Sequence, residues 1–130
     1  MATIFTKIIK GEIPSHKVFE DEKFYAFLDI NPLAKGHTLV IPKQEVDYLF
    51  DIDDELLSEM IVVSKKVAKA LEKAVSCTRV GMMVVGLEVP HAHIHLIPIQ
   101  TERDMNLSNK RVELSKDEFE KVARDISSFI

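Results

Sequence analysis

A chain of 130 residues, 46% of them hydrophobic, suits one globular domain with a single core and leaves no room for two ordinary ones. Its formal net charge of −4 and pI near 5.7 argue against a nucleic-acid wrapper or a binder of anionic membranes. Cys77 is the lone cysteine, so no internal disulfide or multi-cysteine metal site forms, and no stretch reaches the ~20 apolar residues that a bilayer span requires.

In chain order, Thr3 caps a short helix running to Lys10 and stopped by Gly11, with Ile4, Phe5, Ile8 and Ile9 on its apolar side. The N-terminal segment lacks the basic run and long apolar stretch of a secretory signal, and the chain reads as cytoplasmic. Lys17–Glu20 and Phe24–Leu28 form a hairpin across the charged turn Asp21-Glu22-Lys23. His37–Pro42 is a third strand, β-branched and ended by proline. From Asp53 to Ser76, Leu56, Met60, Val63, Val67, Leu71 and Ala74 recur at helical spacing. Lys65, Lys66, Lys69 and Lys73 lie on the opposite, solvated side. Arg79–Val85 and His91–Ile97 are two further strands, joined through Gly86-Leu87-Glu88-Val89-Pro90. A last helix opens at Ser115 with Glu118 completing a capping box, and Phe119, Val122, Ile126 and Phe129 form its apolar face. Short turns and an excess of strands predict an α+β class with an antiparallel sheet.

Three of the five histidines stand at alternate positions, as His91, His93 and His95. In a strand the intervening Ala92 and Ile94 point to the core and the three imidazoles line the other face, with Cα atoms roughly 6.6 Å apart. Close imidazoles repel when charged, so the row favours neutral rings near pH 7. A neutral ring nitrogen attacks phosphorus, and its neighbours donate to phosphate oxygens or to a leaving group. His-x-His on a strand equally offers two ligands to zinc. The spacing does not choose between the two. His37, opening the third strand, joins the site if the two strands are neighbours, and His16 is given no role.

His-x-His-x-His followed by Leu96-Ile97-Pro98 resembles the signature of the histidine triad family of nucleotide hydrolases and transferases. The similarity extends through Thr3–Ile9 with Gly11-Glu12-Ile13-Pro14, through Phe27-Leu28-Asp29-Ile30-Asn31-Pro32, and through Gly36–Lys43. The short, Hint-like branch matches best. This resemblance implies one domain over residues 1–130, about five antiparallel strands, two main helices and a homodimer. It implies cleavage of the α-phosphate bond of nucleotide phosphoramidates or related compounds, purine preferred, with no cofactor. His93 is then the nucleophile forming a nucleotidyl-histidine. His95 contacts the α-phosphate and assists the leaving group, and His91 and His37 complete the cluster. Asp29 accepts from the ribose hydroxyls, while Phe5, Ile8, Phe27 and Ile30 form the slot for the base.

Two departures from the family pattern matter. Many bacterial members bind a structural zinc through two cysteines, a histidine and the first triad histidine. Here Thr3, Thr6 and Glu45 stand at three of those places, so no zinc is expected. The glutamine and hydroxyl residue that usually precede the triad are Leu87 and Glu88. These changes motivate a second reading, a purine-nucleotide-binding module with weak catalysis. A third, a metalloenzyme ligated by His91, His93 and His37, ranks last.

Overall fold

The computed structural model describes residues 2–130, and its element order is α1 (Ile4–Ile9), β1 (Lys17–Glu20), β2 (Phe24–Leu28), β3 (Thr38–Pro42), α2 (Asp54–Ala74), β4 (Arg79–Met83), β5 (Ile94–Ile99) and α3 (Lys116–Ser127). Single 3-10 turns at Leu49–Asp51 and Glu102–Met105, unforeseen from sequence, join the larger elements. The strands form one antiparallel sheet in the order β1-β2-β3-β5-β4, as the α+β expectation required.

Alternation along the strands sorts side chains into two unlike layers. Phe24, Ala26 and Leu28 of β2, Val40 of β3 and Ile94 and Leu96 of β5 face α2 and α3. There they meet Met60, Val63, Val67 and Leu71 of α2 and Phe119, Val122 and Ile126 of α3. Each such large buried side chain contributes on the order of 2 kcal/mol of hydrophobic stabilisation. The intervening Tyr25 and Phe27 of β2 and Leu39 and Ile41 of β3 face the other way and pack with Phe5, Ile8 and Ile9. α1 is therefore a small lid on the face opposite the two long helices.

Side-chain caps fix the helix ends. Asp53 accepts from the Leu56 N–H at 2.8 Å, and Ser115 and Glu118 close a reciprocal capping box on α3. Thr3 accepts from the Thr6 N–H at 3.0 Å, and Gly11, at φ 78°, follows Lys10 in the left-handed conformation that ends α1. Ile4 and Phe129, expected on apolar faces, are instead about half exposed, and Phe129 lies beyond the end of α3.

Several expected strand boundaries are corrected: β4 ends at Met83 rather than Val85, and β5 runs on to Ile99 rather than Ile97. β3 starts at Thr38, one residue after His37. β5 starts at Ile94, so His91, Ala92 and His93 precede the strand. The last β3–β5 pair is Val40↔Ile94, and the Ala92 N–H turns away to Val46 O at 2.7 Å. Pro42 has no N–H to extend the ladder, and its carbonyl accepts from the His91 ring instead. Among the described residues, no helix is long and apolar enough to cross a membrane.

Candidate active site

The histidines form a buried group rather than a single row along one strand. His37 and His91 are fully buried, and His93 and His95 nearly so. His95 pairs directly with Leu39, on the sheet face that carries α1. The His93 and His95 ring centres are 5.0 Å apart, and His37 lies 5.2 Å from His95. His91 reaches sideways to Pro42 and Thr3 rather than into this group. The edge of Phe5 contacts both His91 and His93, linking α1 to the cluster.

Hydrogen-bond partners assign which nitrogen carries the proton in the neutral form of each ring. His93 Nδ1 lies 2.8 Å from the His91 carbonyl, which only accepts, so Nδ1 carries the proton and Nε2 keeps a lone pair. The Leu33 N–H donates to His37 Nδ1 at 3.0 Å, so His37 carries its proton on Nε2. That proton is directed to His95 Nδ1, 2.9 Å away, leaving the His95 proton on Nε2. His91 Nε2 donates to Pro42 O, so its Nδ1 accepts from the Thr3 hydroxyl, both at 2.8 Å.

Burial, reinforced by mutual repulsion and by Arg111, pushes the pKa of His37 down to about 3 and that of His95 down to about 4. Burial also lowers that of His91, partly offset by its bond to Pro42 O. These three rings are accordingly neutral near pH 7. Asp29 Oδ2 lies 3.6 Å from His37 Nε2. Burial raises the carboxyl's pKa, while the Asn31 N–H on Oδ1 at 2.8 Å and Arg111 counteract the rise.

A cleft of about 300 Å³ opens onto His93 and His95, with Asp29, Asn31, Glu88 and Arg111 on its walls. A roomier groove of about 550 Å³ runs between Asp21–Phe24 and α2 but contains none of the histidines. The histidines lie at the smaller one. Phe5, Phe27 and Ile8 are gathered in one apolar cluster beside the histidines, whereas Ile30 is 74% exposed and stands outside it. Leu87 is 89% exposed at the cleft's rim. Arg111 is the residue that sequence reasoning missed. It lies in a polar coil between the 3-10 turn at Glu102–Met105 and α3, and no local pattern marks it.

Thr3, Thr6, Glu45 and His91 do come together. Glu45 Oε1 accepts from the Thr3 N–H at 2.8 Å and the Thr6 hydroxyl at 2.6 Å, which holds its carboxyl below the usual range. The Thr3 hydroxyl is spent on His91. One carboxylate, one engaged imidazole and two hydroxyls do not match the thiolate and imidazole set of a structural zinc centre. Hydrogen bonds hold α1 to the histidine segment here. A second grouping, Asp29, His37 and His95, brings three metal-capable side chains together, but the two imidazoles already bond each other.

The HIT domain family model matches residues 10–102. The adenosine 5′-monophosphoramidase of Saccharomyces cerevisiae is 45% identical over 103 residues, 78% of this chain and 65% of that protein. The enzyme of the same name from Schizosaccharomyces pombe is 34% identical over 132 residues, covering 100% of this chain and 99% of its own length. Among solved structures, a Hit-like protein of Bartonella henselae superposes with a TM-score of 0.84 at 36% identity, covering 98% of this chain and 96% of that one. A zinc-bound histidine triad protein of Mycobacterium smegmatis superposes with a TM-score of 0.84 at 27% identity, covering 99% and 93%.

Proposed function

We infer the function from one premise: this chain belongs to the HIT domain family, the histidine triad proteins. We propose that it is a hydrolase of purine nucleotide phosphoramidates and related nucleotidyl compounds, acting as one domain over residues 1–130. The observation that carries this reading is the His93 ring. Its Nδ1 proton is committed to a backbone carbonyl and its Nε2 is left as a lone pair beside the cleft.

His93 Nε2 attacks the α-phosphorus and the leaving group departs, forming a nucleotidyl-histidine. The His91 carbonyl supports the charge that develops on the phosphorylated ring. His95 Nε2–H donates to the phosphate or the leaving atom. The departing amine takes up a proton from solvent as its bond to phosphorus breaks, oriented by the His95 Nε2–H, while His95 Nδ1 stays engaged by His37. Water then cleaves the phosphorus–nitrogen bond. Another acceptor in place of water makes the same intermediate a transferase step. Asp29 accepts from the ribose, and Phe5, Ile8 and Phe27 floor the base slot, with exposed Ile30 as its outer wall. No step draws on a metal or cofactor.

We also propose a cytoplasmic homodimer. β4 is an edge strand, and Met82, Val84 and Val85 along and just after it are exposed, an open edge that a second copy would cover. Light scattering reporting a monomer at working concentration would remove it.

The deciding experiment measures AMP release from adenosine 5′-phosphoramidate in chelator, comparing the intact chain with His93→Ala. Turnover by the first and none by the second is expected. Equal turnover by both excludes His93 as nucleophile. Leu87 and Glu88 at the cleft favour the second reading, a binding module, which tight AMP binding without turnover would establish.

A further inference from the structure

We propose that Arg111 binds the non-bridging oxygens of the substrate's α-phosphate, a contact supplied by the coil before α3. The assignment rests on the nucleotide reading above and concerns a residue outside the HIT domain match, which spans residues 10–102.

Charge is the first argument. The cleft walls carry the carboxyl groups of Asp29 and Glu88 and the imidazoles of His93 and His95. A nucleotide phosphate entering them meets repulsion unless a cation is present. Among the described residues, Arg111 is the sole cation lining the cleft.

Pre-organisation is the second. Arg111 Nη1 donates to Asn31 O and Nη2 to Leu107 O, both at 3.1 Å. Its own coil is anchored by the Val112 N–H to Pro32 O at 2.9 Å. The guanidinium is thus fixed by neutral carbonyls, and among the described residues it enters no ion pair. A guanidinium has five N–H donors in a planar fork suited to phosphate. Only two of these bonds go to protein here. Its positive charge also bears on Asp29, His37 and His95, as expected of a group turned toward them.

Replacement is the third. In place of the neutral side-chain donors expected just before the triad stand Leu87 and Glu88, whose side chains offer the phosphate no donor. A guanidinium on the opposite coil supplies the missing donors.

The test compares AMP with adenosine, the same nucleoside without its phosphate, by calorimetry on the full chain and on Arg111→Met and Arg111→Lys. Loss of charge-assisted phosphate bonds should weaken AMP binding by about 10- to 100-fold in R111M. Adenosine binding should stay within about 2-fold, because the lost bonds are to phosphate alone. R111K, keeping the charge without the fork, should fall between. Equal weakening of AMP and adenosine would mean that Arg111 only holds the coil in place, and unchanged AMP affinity would mean that it misses the phosphate. Either result overturns the assignment. An intact chain that turns over adenosine 5′-phosphoramidate while R111M binds AMP normally loses this assignment alone. An intact chain that binds no AMP loses the nucleotide reading itself.

Discussion

His37 Nε2 lies 2.9 Å from His95 Nδ1, and the Leu33 N–H on the far side of the His37 ring decides which way the proton between them points. The tautomer of His95 is therefore set two bonds away, in the loop between β2 and β3. Replacing His37 with Phe keeps a ring of similar bulk and removes the donor. Turnover should drop on the order of 100-fold, the lower end of what a positioned proton donor supplies. AMP affinity should change little, since His37 is buried behind His95. Steady-state kinetics beside AMP titration reads both, and a fall in AMP affinity equal to that in turnover would assign His37 to binding instead.

Stability should fall as pH drops below about 6.5, the ordinary histidine value. In the folded chain His37 and His95 resist protonation down to about 3 and about 4. Between those values and 6.5 the unfolded chain binds more protons, so acid favours unfolding. The folded state is free of this penalty above 6.5, and each of the two rings costs about 1.4 kcal/mol per pH unit below it until its folded value is reached. The raised carboxyl of Asp29 opposes this only nearer its own ordinary value of 3.8. Thermal unfolding from pH 7.5 to 5 should show the midpoint falling, with a shallower slope in His37→Phe. A flat profile would mean that the rings take up protons freely in the fold.

Thr3 both caps α1 and donates to His91. Thr3→Val should cost about 1 kcal/mol through the lost cap. It should also lower turnover, because α1 carries Phe5 against His93. Thr3→Ser should restore both. Chelator should leave activity and stability unchanged, and metal analysis after zinc reloading should find no tight equivalent. One tight zinc per chain would show that Glu45 and His91 abandon their present partners for it.

Gly36, at φ 93°, precedes His37, and a Cβ there would sit 2.9 Å from Leu71 Cδ1 and 3.0 Å from Val75 Cγ2. Gly36→Ala should destabilise by more than the roughly 1–2 kcal/mol of the left-handed backbone alone. It should also reduce turnover by moving His37. Denaturant unfolding and kinetics on one preparation check the two effects together.

Much of this arrangement was legible in the sequence. The three-and-four spacing of α2 and the Ser115–Glu118 box of α3 are local signals, and both elements form as read. The three alternating histidines stood out as a candidate site, and His37 does lie against His95. The start of β5 was misread because alternation specifies which face a residue takes, not which strand pairs with it. Whether Ala92 bonds to β3 or to Val46 depends on where Pro42 interrupts the ladder. Arg111 was hidden for a related reason. Its place comes from a coil crossing the Asp29–Leu33 loop, a contact between segments far apart in the chain with no periodicity in either.

The bond from His93 Nδ1–H to the His91 carbonyl ends on a main-chain oxygen. Every residue type carries that oxygen, so no single codon change at position 91 deletes it. The orientation of the His93 ring is thereby insulated against side-chain substitution, while that of His95 hangs on one side chain. The aim of His93 should therefore tolerate side-chain changes that leave the backbone at position 91 in place, whereas that of His95 should not tolerate loss of the His37 ring.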